Sequence, residues 1–270
     1  MKLLNIACGQ RYHKDWINID FHSDSRFVKK MNILSGLPFE SNSMDAVYCG
    51  HFLEHIDVEE CKIVLSEIYR VLKPAGVIRI VVPDLENICR EYLKILELAV
   101  VNKDYLKKHE WITTELLDQM VRNVEGGKMK EIFNKVSIQQ DVELGGYIKE
   151  RTGDELLAEG YKRLNKKNRK ITIHKIINKM PYIYLKIIKF FIPKNLKTFV
   201  FNDTSIGEKH RWMYDRLSLK LLLEYSKFNG ISAEKYNSSK IKNFNEYKLD
   251  INEDGTPYKG ISSLYMEAIK

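Results

Sequence analysis

The pattern of apolar and polar positions changes character along the chain. The first hundred residues alternate two signals. Short β-favouring apolar runs, KLLNIA from Lys2, WINID from Trp16, DAVYC from Asp45 and VIRIVV from Val77, are separated by turn-rich or helical stretches. Such alternation predicts a parallel sheet with crossover helices on both faces. The clearest helix is expected over about Val58 to Lys73. Asp57 supplies an N-cap and Glu60 completes a capping box. Val58, Cys61, Leu65, Ile68 and Leu72 form one apolar stripe, and Pro74 and Gly76 end it.

From about Leu85 to Asn202 the pattern is helix-rich, polar and irregular, with no strand series. The pairs Gly126-Gly127 and Gly145-Gly146 are expected to mark loops. Strand signals return near the end. An amphipathic helix is predicted over Leu217 to Phe228, then a strand in ISAEKY from Ile231 and another in SSLYMEAIK from Ser262. The expected organisation is one domain over residues 1–270, with a helical, partly basic insertion at 97–202 between the two halves of a sheet.

Composition adds three constraints. Hydrophobic residues are 44% and charged residues 30%, an ordinary globular balance. No apolar run approaches the roughly 20 residues that span a bilayer, and the apolar start MKLLNIACG is too short for a signal peptide. Cys8, Cys49, Cys61 and Cys89 form no CxxC pair, so four reduced thiols in a cytoplasmic protein are expected.

Charge is uneven. Residues 160–202 hold 12 Lys and Arg and no Asp or Glu; these outnumber the whole-chain net charge of +8 and leave the remainder at −4. The chain as a whole is therefore not expected to bind nucleic acid. Within residues 161–201, Ile173, Ile176, Met180, Tyr184, Ile187 and Phe191 recur at helical spacing. A lid with a solvated basic face is the favoured reading. Peripheral contact with anionic lipid at the inner face of the membrane and recognition of a phosphate-rich substrate stay open.

In an open parallel sheet, ligands gather at the carboxyl ends of the strands. Four such ends carry candidate chemistry. After the first, Ala7-Cys8-Gly9, the glycine lets the backbone turn and approach a ligand. Asp20 ends the second, where a carboxylate can accept from both ribose hydroxyls. Asn32 ends the third, in VKKMN, where its amide can pair with an adenine edge; Cys49-Gly50-His51 ends the fourth. Together they describe a nucleoside-binding rim.

The stretches LLNIACG, DWINID, LPFESNSMDAVYCGHFLEHI and LSEIYRVLKPAGVIRIVVPDL, and more loosely GEKHRWMYD and SSLYMEAIK, resemble class I S-adenosylmethionine-dependent methyltransferases. They are most similar to the short-looped bacterial group found with surface-polysaccharide genes. The likeness covers about the first ninety residues closely and the last seventy loosely. It implies an α/β Rossmann-like fold with a seven-stranded, mostly parallel sheet. By resemblance, Ala7, Cys8 and Gly9 face the methionine part of S-adenosylmethionine and Asp20 holds the ribose. Asn32, Ile33 and Leu34 border the adenine, and Cys49, Gly50 and His51 complete the cofactor site. The sequence departs from the family in keeping a single glycine in the first turn, in having Asn32 where Asp is common, and in Lys73-Pro74-Ala75-Gly76.

Methyl transfer from a sulfonium is an in-line displacement, in which positioning carries much of the rate. A hydroxyl acceptor also benefits from a base, and His51, Asp84 and His210 are the candidates, with His51 expected nearest the methyl group. The resemblance implies O-methylation of a small molecule or of a capsular or other surface-polysaccharide precursor, at a sugar hydroxyl or a phosphoramidate-type group. A non-catalytic Rossmann-like binding protein is the first alternative. A zinc peptidase through His51, Glu54 and His55 (HxxEH) is the second, weakened because His51 sits at a strand end rather than in a helix. No metal is expected. A nicotinamide enzyme would need the multi-glycine phosphate turn that this chain lacks.

Overall fold

The computed structural model describes residues 1–157 and 207–270, together with residues 184, 188 and 191–193. Seven strands form one sheet in the order β3-β2-β1-β4-β5-β7-β6. They are β1 (Leu3–Ile6), β2 (Ile17–Asp20), β3 (Val28–Lys30), β4 (Met44–Gly50), β5 (Leu72–Pro83), β6 (Asn229–Glu234) and β7 (Ser263–Ile269). The pairs from β3 to β5 are parallel, and β7 runs antiparallel to both its neighbours. The predicted Rossmann-like, mostly parallel sheet is therefore the fold. Chain order reverses at β1: β2 and β3 lie on one side of it and β4 on the other. The switch point falls between the carboxyl ends of β1 and β4.

Alternation along each strand sorts the core into two layers. Leu4, Ile6, Val47, Cys49, Ile78, Ile80 and Val82 face helices α1 (Val58–Val71) and α6 (Arg216–Tyr225). Their neighbours Leu3, Ala46, Tyr48 and Val81 face the opposite way, against Trp16, Phe244 and Leu249. Among the described residues, that second face is covered by the segment between β6 and β7 and its short 3-10 turn at Phe244–Tyr247, rather than by the predicted α-helices. The segment is bound through a buried ion network. Arg79 Nε donates to Asp250 Oδ2 at 2.7 Å, and one of its terminal nitrogens donates to Glu267 Oε1 at 2.8 Å. A guanidinium buried without two carboxylates would be costly; here both are present.

Helix α1 has the predicted capping box, with Glu60 N donating to Asp57 Oδ1 at 2.9 Å and Asp57 N to Glu60 Oε2 at 3.0 Å. It ends at Val71, two residues earlier than expected, and Leu72 is already extended. Lys73 precedes Pro74 and is driven out of the helical region by the proline ring. Helix α6 also stops short of Phe228, at a turn through Ser226 and Lys227, which adopts φ +72°.

After β5 the chain forms α2 (Leu85–Val101), α3 (Leu106–Val121), α4 (Gly127–Gln139) and α5 (Val142–Thr152). The expected insertion boundary at residue 97 falls inside α2. Gly126 and Gly127 form the predicted turn, with φ +77° and +51°. Gly145 and Gly146, expected in a loop, lie inside α5 instead. A β-carbon on Gly145 would stand 3.0 Å from the Leu157 side chain and 3.2 Å from Val136, so close packing explains the glycine better than a turn does. The basic stretch 161–201 lies outside the described residues, apart from residues 184, 188 and 191–193. Among the described residues no helix is long and apolar enough to cross a membrane.

Candidate active site

Two cavities open at the switch point. The smaller, about 170 Å³, is lined by Ala7, Cys8, Gly9, Gly50 and His51 from the ends of β1 and β4, with Tyr258 closing it from the segment before β7. The larger, about 470 Å³, is lined by His51, Glu54, His55 and His210, with Gln119 and Arg122 of α3. His51 and Lys259 line both.

The rim of the smaller cavity is held by backbone geometry. Ala7 and Gly9 adopt φ +51° and +53°, turning the chain sharply after β1. Nothing lies within 4 Å of where a Gly9 β-carbon would be, so this stretch of backbone faces open space. Asp20 secures the turn from the next strand: its Oδ2 accepts from Gly9 N at 2.8 Å and its Oδ1 from His22 N at 2.9 Å. A carboxylate fixed in this way keeps further lone pairs for a ligand hydroxyl. Opposite, a β-carbon on Gly50 would collide with the Tyr48 hydroxyl at 2.6 Å, and that hydroxyl donates to Asp250 Oδ1 at 2.5 Å. Arg11 stacks over the Tyr258 ring at 4.1 Å and donates to Ile251 O. An open glycine turn, a fixed strand-end carboxylate and an aromatic wall suit the nucleoside and amino-acid parts of S-adenosylmethionine.

The remaining predicted cofactor residues are placed differently. Asn32 is exposed, and its Oδ1 caps the 3-10 turn Ile33–Ser35 by accepting from Leu34 N at 3.1 Å. The loop after it is pinned by α1: Leu37 N donates to Glu67 Oε2 at 2.9 Å, while Arg70 donates to Leu37 O and Phe39 O. Leu34 is exposed and lies on this loop; Ile33 and Cys49 point into the core. Burial, followed by the charge of Asp20, pushes the Cys8 thiol up to about 12.

On the acceptor side, His51 follows β4 with φ +52°. Its Nδ1 lies 3.1 Å from Glu54 Oε1 and its Nε2 lies 3.4 Å from Ser263 Oγ. Glu54 is fully buried. Burial favours its protonation, yet the hydrogen bond from His51 and the nearby His55 and His210 hold its pKa below the usual carboxylate value. An ionised Glu54 accepts the Nδ1 proton, which in a neutral ring leaves the lone pair on Nε2, the atom nearest Ser263 Oγ.

His210 is brought in by the segment leading to α6. Its backbone N donates to Gln119 O at 2.9 Å, and Arg211 N donates to Glu54 O at 2.7 Å. Burial pushes the imidazole down to about 4, so it is neutral near pH 7. Its ring meets His55 edge-on at 4.9 Å.

Asp84 is not on either cavity wall. It is the N-cap of α2, accepting from Asn87 N at 3.2 Å, and burial raises its pKa. A strand that runs straight into a helix needs an acceptor for the first amides, and Asp84 fills that need. The helical HxxEH arrangement is also overturned. His51 sits in a left-handed turn and only Leu53–His55 form a short 3-10 turn, so His51 and His55 do not share a helix face.

Sequence reasoning named Glu54 and His55 only within the HxxEH alternative. It named neither Gln119 nor Asp250. The one signal for Glu54 was its place between two histidines; burial of its carboxylate is a tertiary fact.

Residues 7–80 match a family described as a methyltransferase domain. Over this stretch the chain is similar to a methyltransferase domain. The match begins at the Ala7 turn and ends within β5, so it spans the strand ends on which the smaller cavity is built. No curated protein matches the chain. A SAM-dependent methyltransferase from Archaeoglobus fulgidus is similar at 15% identity, over 100% of this chain and 86% of that one, with a TM-score of 0.39. One from Methanosarcina mazei is similar at 13% identity, over 100% and 92%, with a TM-score of 0.40. A putative methyltransferase from Haloferax volcanii, solved in complex with the Trm112 activator, matches at 20% identity over 30% of this chain and 44% of that chain, with a TM-score of 0.24.

Proposed function

We propose that the chain is an S-adenosylmethionine-dependent methyltransferase that moves the methyl group onto an oxygen of a polar acceptor held in the larger cavity. Bound S-adenosylmethionine supplies a methyl group activated by its sulfonium. The turn Ala7–Gly9 and Asp20 bind and orient the cofactor. Gln119, Arg122 and Lys259 offer polar contacts to an acceptor. His51 stands on the wall common to both cavities, and this carries the reading: a group transferred between the two spaces passes beside its ring.

For a hydroxyl acceptor, His51 Nε2 would take the proton that the oxygen gives up on being methylated, S-adenosylhomocysteine being the leaving group. Glu54 stabilises the imidazolium that results, since its carboxylate already holds Nδ1. An acceptor oxygen that is already anionic needs only positioning, and Arg122 and Lys259 favour its charge. A sugar hydroxyl or a phosphoramidate-type oxygen on a surface-polysaccharide precursor meets these requirements, and it is the class that the resemblance of the first ninety residues implies.

The test is a screen of nucleotide-activated sugars and lipid-linked or phosphorylated glycans with purified protein and S-adenosylmethionine, read as S-adenosylhomocysteine formed. Turnover with a glycan hydroxyl or its phosphorus-linked substituent supports the reading. Turnover confined to amine acceptors overturns it.

A further inference from the structure

Glu54, His55 and His210 each offer one ligand atom, and these atoms all lie within 4.8 Å of one another. They come from two distant parts of the chain: the 3-10 turn after β4, and the segment leading to α6. We propose that the three residues form a binding site for a first-row divalent transition-metal ion, of which Zn2+ is the type, on the wall of the acceptor cavity.

Three observations support this. Glu54 Oε1 is engaged by His51, but Oε2 is fully buried with no hydrogen-bond partner. A buried, unpaired carboxylate oxygen is costly, and a cation at that position offsets the cost. His55 Nδ1 is 3.2 Å from Lys209 O. Donation to that carbonyl leaves the lone pair on Nε2, which stands 3.9 Å from Glu54 Oε1. Metal-bound histidines commonly have such a carbonyl behind the ring. Gln119 lies 2.8 Å from His210 Nε2, and with its amide turned to accept from that atom the lone pair of the ring is on Nδ1, the atom left for an ion.

The donor set selects the ion. Two imidazoles and one carboxylate suit Zn2+ and its neighbours, whereas Mg2+ and Ca2+ favour oxygen alone. Bonds of about 2.1 Å place tetrahedral ligands about 3.4 Å apart, so the three groups need to close by roughly an ångström. All three residues line the cavity of about 470 Å³, so an acceptor oxygen there can take the fourth position. The role of the ion toward the acceptor rests on the proposed function; its binding does not. The arrangement also differs from the HxxEH reading, because Glu54 is a ligand here rather than a base.

The experiment is calorimetric titration of chelator-treated full chain with Zn2+, without cofactor or acceptor, alongside metal content after dialysis. One ion per chain with micromolar or tighter affinity is expected, with Tm rising as Zn2+ is added. Glu54→Gln and His210→Gln should each weaken binding at least tenfold and remove the rise in Tm. Should Glu54→Gln fail to fold, His55→Gln takes its place in the comparison. No stoichiometric binding by the wild-type chain overturns the proposal, as does unchanged affinity in folded variants. Either failure leaves the methyl-transfer reading intact, since that reading is scored by S-adenosylhomocysteine formation.

Discussion

The Nδ1 atom of His51 lies 3.1 Å from Oε1 of Glu54, three residues along a turn that joins a strand end to a buried carboxylate. Glu54 orients the ring, so Nε2 can serve the acceptor. His51→Ala should lower turnover by roughly 100-fold or more with little change in cofactor affinity. Single-turnover rates and calorimetry with S-adenosylhomocysteine separate the two quantities. Near-normal turnover would mean that the acceptor oxygen arrives already ionised and that His51 has no part in proton transfer.

Asp20 secures the glycine turn, and the proposed function gives it the ribose as well. Asp20→Ala should lose about 1.5–3 kcal/mol of cofactor binding, the worth of a hydrogen bond to a charged group. That is roughly a tenfold to 150-fold rise in Kd. Asp20→Asn keeps one acceptor for Gly9 N and should fall between wild type and Asp20→Ala. Unchanged affinity in a folded Asp20→Ala protein would remove Asp20 from the cofactor site.

Glu67 and Arg70 hold the loop that presents Asn32 and Leu34, and this linkage is pH-dependent. The Arg70 guanidinium holds the Glu67 carboxyl down at about 2, against 4.5 for the free group. A depressed pKa contributes stability that is present above about pH 4.5 and is lost as pH falls towards 2. Glu67→Gln should cost about 1 kcal/mol at pH 7, a modest figure because Arg70 is about a third exposed. The difference in Tm between wild type and variant should close between pH 4.5 and 2. A difference that stays constant over that range would exclude the charged pair as its origin.

The ion network under the second face of the sheet should be a large stability element. Asp250→Ala leaves Arg79 buried with Glu267 alone and removes the acceptor of the Tyr48 hydroxyl. A loss of about 3–5 kcal/mol is expected, seen as a lower urea midpoint with an unchanged slope. A loss below about 1 kcal/mol would show that the segment from Tyr236 to Ile251 is held by its apolar contacts instead.

Local pattern carried the sheet. The strand runs, the Asp57–Glu60 capping box and the strand-end positions of Gly9, Asp20 and His51 depend on residues close in sequence, where period and turn chemistry act directly. The coverage of the second face, the inward turn of Ile33 and Cys49 and the tight packing at Gly145 were not legible, because each depends on what a distant segment places opposite. The same holds for Asp84, whose role as a helix cap or as a base is decided by which way its carboxylate turns. The chemistry of the larger cavity is the clearest case. Glu54 and His210 are 156 residues apart, and a third imidazole joins His51 and His55 near this carboxylate only when the segment before α6 docks on the turn after β4. Sequence by itself determined a sheet with a ligand rim; burial and long-range contact, which have no local signature, decided what that rim faces.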